Sequence, residues 1–195
     1  KTITVEPGII RDELNNYLKP HELFFGPNTS TSNRCMIGGM VGNNSSGSTS
    51  IRYGVTRDKV LSIDAVLSDG SLATFSEISS KEFKEKMELE TFEGSIYKAI
   101  YSELIFDSAQ EEIKKEFPKE TIHRRNTGYA IDEFLNSDLF GGTESTINVA
   151  KLLGGSEGTL AFSTTITLRL DAVQPKESIL ITSHFKSINE SLKAT

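Results

Sequence analysis

Between Pro27 and Gly47 the chain gathers residue types that can hold a polar ligand without using charge. Pro27-Asn28-Thr29-Ser30-Thr31-Ser32-Asn33 is a run of short hydrogen-bonding side chains. It leads into Met36-Ile37-Gly38-Gly39-Met40-Val41-Gly42-Asn43-Asn44-Ser45-Ser46-Gly47. Glycine costs conformational entropy, and it is favoured where backbone must pass close to something else. Backbone amides and hydroxyls with no cationic side chain nearby suit a ribityl chain or a pyrophosphate held by neutral donors. The same composition also describes a surface loop, because Gly, Ser and Asn punctuate turns. The apolar Met36, Ile37, Met40 and Val41, interleaved with the glycines, mark a segment that packs. A second cluster, Gly154-Gly155-Ser156-Glu157-Gly158-Thr159-Leu160, reads as a helix stop followed by a turn. Alternatively, the two clusters converge on one extended ligand.

Neither cluster is a standard nucleotide fingerprint. Gly38-Gly39-x-x-Gly42 has the wrong first spacing for GxGxxG and no βαβ unit around it. A GxxxxGK followed by Ser or Thr is absent, which excludes a P-loop ATPase. His21, His123 and His184 are scattered, without the i, i+4 or short-loop partners of a metal site. Cys35 has no base or helix start beside it and reads as a packed thiol. Arg124 and Arg125 have the bidentate geometry that suits a substrate carboxylate, and equally that of a surface cation or a buried ion-pair partner.

Elements that would position these residues follow from periodicity. Thr2 to Val5 alternates as a strand until Pro7-Gly8, and Ile10, Leu14, Tyr17 and Leu18 recur at helical spacing up to Pro20. Ser62–Asp69 and Leu72–Phe75, joined by Asp69-Gly70-Ser71, form a hairpin. Ser79 with Glu82 is a capping box for a helix running to about Glu90. Ile96, Ile100 and Leu104 mark a further helix, and Asp107 to Phe117 another that Pro118 ends. Ser145–Leu153 reads as a short helix, Thr159–Leu170 as a long strand, Ile179–Phe185 as a last strand after Pro175, and Ile188–Leu192 as the start of a helix. Without regular βαβ spacing, the expected class is α+β: a mostly antiparallel sheet flanked by helices.

The 195 residues carry 21 Lys and Arg against 27 Asp and Glu, a formal net charge of -6, which argues against nucleic acid as a partner. No apolar run approaches the about 18 residues of a spanning helix, and no signal segment opens the chain. A single cysteine excludes a disulfide framework. These features predict a soluble, reduced, cytoplasmic protein, peripheral to a membrane only through other segments. Opening on Lys1 in a strand-like run, without methionine, the chain reads as an excised piece.

Pro27 to Gly47 with Tyr53-Gly54, then Val60 to Gly70, then Arg125-Asn126-Thr127-Gly128-Tyr129-Ala130, then Leu153 to Leu160, resembles the flavin domain of FAD-linked oxidases of the vanillyl-alcohol oxidase type. Within that family the chain looks most like the group of D-lactate dehydrogenases, glycolate oxidase FAD subunits and D-2-hydroxyglutarate dehydrogenases. The resemblance implies FAD as cofactor. It places Pro27, Asn28, Thr29, Ser30 and Thr31 beside the ribityl chain and flavin ring. Ile37, Gly38 and Gly39 would pass their backbone close to the isoalloxazine and pyrophosphate. Asn43, Asn44, Ser46 and Gly47 would donate to phosphate and ribityl oxygens, and Glu157, Gly158 and Leu160 would close the adenosine side. Arg125 is the candidate for a substrate carboxylate. The family's RGGGTS-like phosphate loop does not precede Lys1, and its GDGNxH-like motif does not follow Thr195. The resemblance therefore implies residues 1–174 as the second part of a PCMH-type FAD-binding domain and 175–195 as the start of a substrate domain. No complete catalytic set and no metal site lie in this chain. The whole protein would oxidise a 2-hydroxy acid such as D-lactate or glycolate, passing electrons to an iron–sulfur or quinone acceptor. An ether-lipid synthase, a sugar-lactone oxidase and a stand-alone binding module are the competing readings.

Overall fold

A computed structural model describes residues 1–119, 121–122, 124–125, 128–173 and 179–194. Asn126 and Thr127 of the Arg-Arg-Asn-Thr-Gly-Tyr stretch, His123 just before it, the break at Pro175 and the 174/175 boundary lie outside the described residues. The chain runs β1 (Thr2–Val5), α1 (Arg11–Leu18), β2 (Leu23–Phe24), α2 (Ile37–Asn43), α3 (Ser50–Tyr53), α4 (Thr56–Lys59), β3 (Val60–Val66) and β4 (Leu72–Ser79). It continues through α5 (Ser80–Met87), α6 (Phe92–Leu104), α7 (Asp107–Glu116), β5 (Thr146–Asn148), α8 (Ala150–Leu153), β6 (Phe162–Arg169), β7 (Asp171–Ala172) and α9 (Ile188–Lys193).

Five strands form one sheet in the order β1-β6-β3-β4-β5, every neighbouring pair antiparallel, and β2 pairs with β7 apart from it. Ile63 faces Phe75 on one side and Ile166 on the other, so one row of the sheet is apolar across three strands. With Ala65 and Leu168 this row is buried, and α5 and α8 pack against β3 and β4. Phe83 and Phe140 meet edge to face in the helical layer, and Tyr97 lies edge-on to Phe83. The other face carries Thr4, Ser62, Asp64, Thr74, Thr165 and Thr167. A half-solvated antiparallel sheet has this alternation. The expected α+β architecture is the one observed.

Three local expectations change. Met36 to Gly47 contains a helix, α2, in which Ile37, Met40 and Val41 recur at i, i+3 and i+4 and are all buried. Gly38, Gly39 and Gly42 fall among them and obscure the period. Ser145–Leu153 is a helix only from Ala150. Thr146–Asn148 is β5, with Ile147 opposite Ile78 and buried, while the Asn148 side chain accepts from Ala150 N at 2.9 Å and starts α8. Ile179–Phe185 pairs with no strand among the described residues. Ile179, Leu180 and Ile181 are 88%, 91% and 81% exposed, so the apolar run has no sheet to join.

The capping box expected at α5 is present. Ser79 Oγ accepts from Glu82 N at 3.2 Å, and Glu82 Oε2 accepts from Ser79 N at 2.8 Å. Ser79→Ala is expected to cost about 1 kcal/mol, the usual loss of an N-cap side chain. Chemical denaturation checks it, with Ser79→Asn retaining the cap.

Candidate functional site

The two glycine clusters meet. Beyond α8 the chain turns through Gly155 (φ 93°), Glu157 (φ 53°) and Gly158 (φ 74°). Within this turn Gly155 N donates to Val41 O and Glu157 N to Gly42 O, both at 2.9 Å, so the second cluster satisfies carbonyls at the C-terminal end of α2. At the other end of α2, Ile37 N donates to Ile9 O at 3.0 Å and Gly38 N to Pro7 O at 2.8 Å. α2 is therefore held between the turn after β1 and the loop after α8.

Along α2 runs an open cleft of about 560 Å³, bordered by Pro7, Gly8, Gly38, Gly39 and Gly42 on one side and by Ser156, Glu157, Gly158 and Phe162 on the other. A side chain at Gly39 or Gly158 would meet nothing within 4 Å, whereas one at Gly38 would start 2.6 Å from the Pro7 ring. Asn43 and Glu157 bridge the floor, Nδ2 donating to Oε1 at 3.1 Å. Glu157 is the one titratable side chain among the described residues bordering the cleft.

Of the residues singled out in the sequence, Gly38, Gly39, Asn43, Glu157 and Gly158 border this cleft. Ile37 is fully buried in the core. Leu160 lies in an adjoining apolar pocket of about 290 Å³ with Leu67, Phe75 and Ile96. The Pro27–Thr31 and Asn44–Gly47 loops use many of their polar groups on each other and on their neighbours. Asn28 Oδ1 accepts from Thr49 Oγ1 at 2.7 Å and from its amide at 3.1 Å, and the Pro27 carbonyl accepts from Arg11 Nε at 3.2 Å. Thr29 Oγ1 lies 3.2 Å from Thr31 Oγ1, while Ser30 is exposed. Gly47 passes so close to Asn28 that a Cβ would stand 2.2 Å from its carbonyl oxygen. Ser46 Oγ accepts from Arg124 Nε at 3.2 Å, and Asn44, in the left-handed region at φ 49°, is buried with its Oδ1 accepting from Arg57 N at 2.8 Å.

Arg125 stands in a half-buried charge network. Its guanidinium pairs with Asp132 and, at 2.6 Å, with Glu133, and Lys151 reaches the other Glu133 oxygen at 3.0 Å. Of the alternatives for Arg125, the buried ion-pair partner is the role this geometry displays. Arg57, Asp132, Glu133 and Lys151 went unread in the sequence because nothing in their spacing brings them together. The cations Arg57 and Lys59 in the Val55–Val60 stretch, set just before a strand, were the available signal.

Opposite pH dependences follow from this network. Burial raises the Asp132 carboxyl above its ordinary range despite Arg125. For Glu133 burial acts in the same direction, but Lys151 and Arg125 outweigh it and hold the carboxyl below its ordinary range. A depressed carboxyl contributes stability that is present above its unfolded pKa and lost as pH falls through the folded one. A raised carboxyl contributes in the other sense, its share being lost as pH rises. Glu133→Gln is therefore expected to flatten the loss of thermal stability on acidification, and Asp132→Asn to remove a loss on going from acid to neutral pH. Melting temperatures between acid and neutral pH check both; parallel curves for wild type and variants refute the assignment.

Residues 1–76 match the family model described as FAD binding domain. A D-2-hydroxyglutarate dehydrogenase of Haemophilus influenzae is 35% identical over 194 residues, which is 98% of this chain and 18% of its own. One of Escherichia coli is 35% identical over 198 residues, with the same two coverages of 98% and 18%. The glycolate oxidase subunit GlcD of Bacillus subtilis is 37% identical over 71 residues, 36% of this chain and 15% of its own. The chain thus spans about a fifth of the length of the curated relatives that match it throughout. FAD, the cofactor expected from the sequence, is the one this family model names. Among the described residues no helix is long and apolar enough to cross a membrane.

Proposed function

We propose, from the premise that residues 1–76 are FAD-binding-domain sequence, that this chain is the cofactor-holding part of an FAD-dependent dehydrogenase of a D-2-hydroxy acid. The observation that carries the reading is the convergence of both glycine clusters on one cleft whose wall lacks side chains at Gly39 and Gly158. A cradle that a Cβ would fill, rimmed by the hydrogen-bonded pair Asn43–Glu157, fits part of a dinucleotide. No cation borders it among the described residues, so phosphate charge there is met by neutral donors.

The assigned roles are then as follows. Gly38, Gly39 and Asn43 form one wall; Glu157 and Gly158 form the other, where the carboxylate accepts from a sugar hydroxyl rather than facing a phosphate of its own sign. Leu160 backs the adenosine end. Pro27, Asn28, Thr29, Ser30 and Thr31, with Asn44, Ser46 and Gly47, build the loops beside the ribityl chain, and Ile37 anchors α2 beneath them. When bound, FAD supplies the hydride acceptor for the carbon that bears the substrate hydroxyl. This chain's residues bind and orient it; with Glu157 as the cleft's titratable group, the proton acceptor and the carboxylate ligand come from elsewhere in the protein.

The relatives named D-2-hydroxyglutarate dehydrogenase match 98% of this chain and the glycolate oxidase subunit 36%, which favours D-2-hydroxyglutarate over D-lactate or glycolate as substrate. Residues 1–174 belong to the FAD-binding domain in this reading and 175–195 begin the substrate domain. The exposure of Ile188 and Leu192 on α9 supports that division. An iron–sulfur or quinone acceptor and a cytoplasmic location, consistent with the unpaired thiol of Cys35, complete it. The test is a flavin spectrum of the full-length protein, followed by anaerobic addition of each of the three acids. Bleaching of bound flavin, fastest with D-2-hydroxyglutarate, is expected. A protein that takes up no FAD, or whose flavin none of the acids reduces, refutes the reading. The 195-residue chain alone is expected to bind FAD weakly and to turn over none of them.

A further inference from the structure

We propose that Arg57 is a positioning residue for the cofactor, holding the loop after α8 at the height that closes the cleft. The proposal rests on the cleft being the FAD site. Arg57 is 4% exposed and touches two of the segments that shape the site, the end of α2 and the start of the loop after α8, besides the Gly128 carbonyl. Its Nε and Nη2 both donate to Gly154 O, at 2.9 and 2.6 Å, and Nη2 lies 3.4 Å from Gly128 O. Its own amide donates to Asn44 Oδ1 at 2.8 Å, which ties it to the end of α2.

Gly154 is where α8 stops, and a Cβ there would lie 3.2 Å from both Cβ and Cγ of Arg57, so the glycine gives the stem room to pass. Beyond it, Gly155, Glu157 and Gly158 all adopt the left-handed region. For Glu157 that conformation is uncommon, and it persists only where its surroundings enforce it. Two hydrogen bonds to α2 hold the middle of the loop, and Arg57 holds its first carbonyl. Lysine could not replace it fully. A fork places two donors on one carbonyl and reaches towards a second, whereas an ammonium is a point donor on a flexible stem. Burying a guanidinium is costly without partners, and Asp132 and Glu133 supply the opposing field.

The test uses the full-length protein, with FAD as the probe. Arg57→Lys is expected to speed amide exchange across residues 154–160 about tenfold and to weaken FAD binding by about the same factor, as for one lost bond to a charged donor. Ser79→Ala, a remote destabilising control, is expected to lower the melting temperature with neither effect. Unchanged exchange at 154–160 in Arg57→Lys overturns the positioning role. Faster exchange with unaltered FAD affinity overturns the proposal by a different route, because the cleft itself is then not the FAD site. Should Arg57→Lys not fold, the wild type decides through the denaturant dependence of exchange. Residues 44–57 and 154–160 opening together supports the tie; free exchange at 154–160 with 44–57 protected refutes it.

Discussion

Replacing Gly39 by leucine is expected to leave the fold intact and to abolish most FAD binding. Gly39 sits in α2 with nothing within 4 Å of its absent Cβ, and the open space there is the cleft. Glycine is about 1 kcal/mol worse than an ordinary helix former inside a helix, so the variant should melt no lower than wild type. The leucine would instead occupy the space proposed for cofactor. Forcing a ligand against it carries the roughly 1–3 kcal/mol of an overpacked site, a loss of about 5-fold to 150-fold in affinity. Its neighbour behaves oppositely: a Cβ at Gly38 would stand 2.6 Å from the Pro7 ring. Gly38→Ala is expected to lose about 1–3 kcal/mol of stability through strain at the β1–α1 turn. Fluorescence titration and thermal melts on both variants check the contrast. Normal FAD affinity in Gly39→Leu would remove α2 from the binding site.

Removing the Arg125 guanidinium is expected to be among the most destabilising single changes in the chain. Arg125→Met leaves the half-buried Asp132 without its paired cation and Glu133 with Lys151 alone. Breaking a fully buried pair from one side typically costs about 3–5 kcal/mol, and with the carboxylates only half-buried and Lys151 still on Glu133 the loss should lie at or below the lower end of that range. The loss should be greatest at neutral pH and smaller in acid, where the raised Asp132 carboxyl protonates and no longer needs a partner. Adding Asp132→Asn to Arg125→Met should recover part of the stability. Denaturant titrations at acid and neutral pH measure all three proteins. A variant of ordinary stability, with only a raised KM for the hydroxy acid, would return Arg125 to the role of substrate ligand.

What was legible in the sequence was local. The hairpin of β3 and β4, the Ser79–Glu82 cap and the stop of α7 before Pro118 each depend on residues within a few positions of one another. The neutral, glycine-rich character of the Pro27–Gly47 stretch was equally plain, and so was the second cluster at Gly154–Leu160. Where tertiary packing overrode a local pattern, the expectation missed. Ile147 is drawn into the sheet opposite Ile78, although its neighbourhood reads as helical. In α2 the helical period of Ile37, Met40 and Val41 is interrupted by glycines that spacing alone assigns to a loop.

The site divides in the same way. The sequence by itself determined which residue types surround the cleft, because backbone flexibility and side-chain chemistry belong to each residue wherever it ends up. Only the tertiary structure decided which of them face open space. A hydrogen-bonding group is available to a ligand when no nearer partner has taken it, and those partners arrive from far along the chain. The Gly38 amide is taken by Pro7, the Asn44 side chain by Arg57, and the Arg57 fork by a carbonyl 97 residues away. Gly39 and Gly158 were left facing the cleft, and that selection depends on distances the order of residues does not contain.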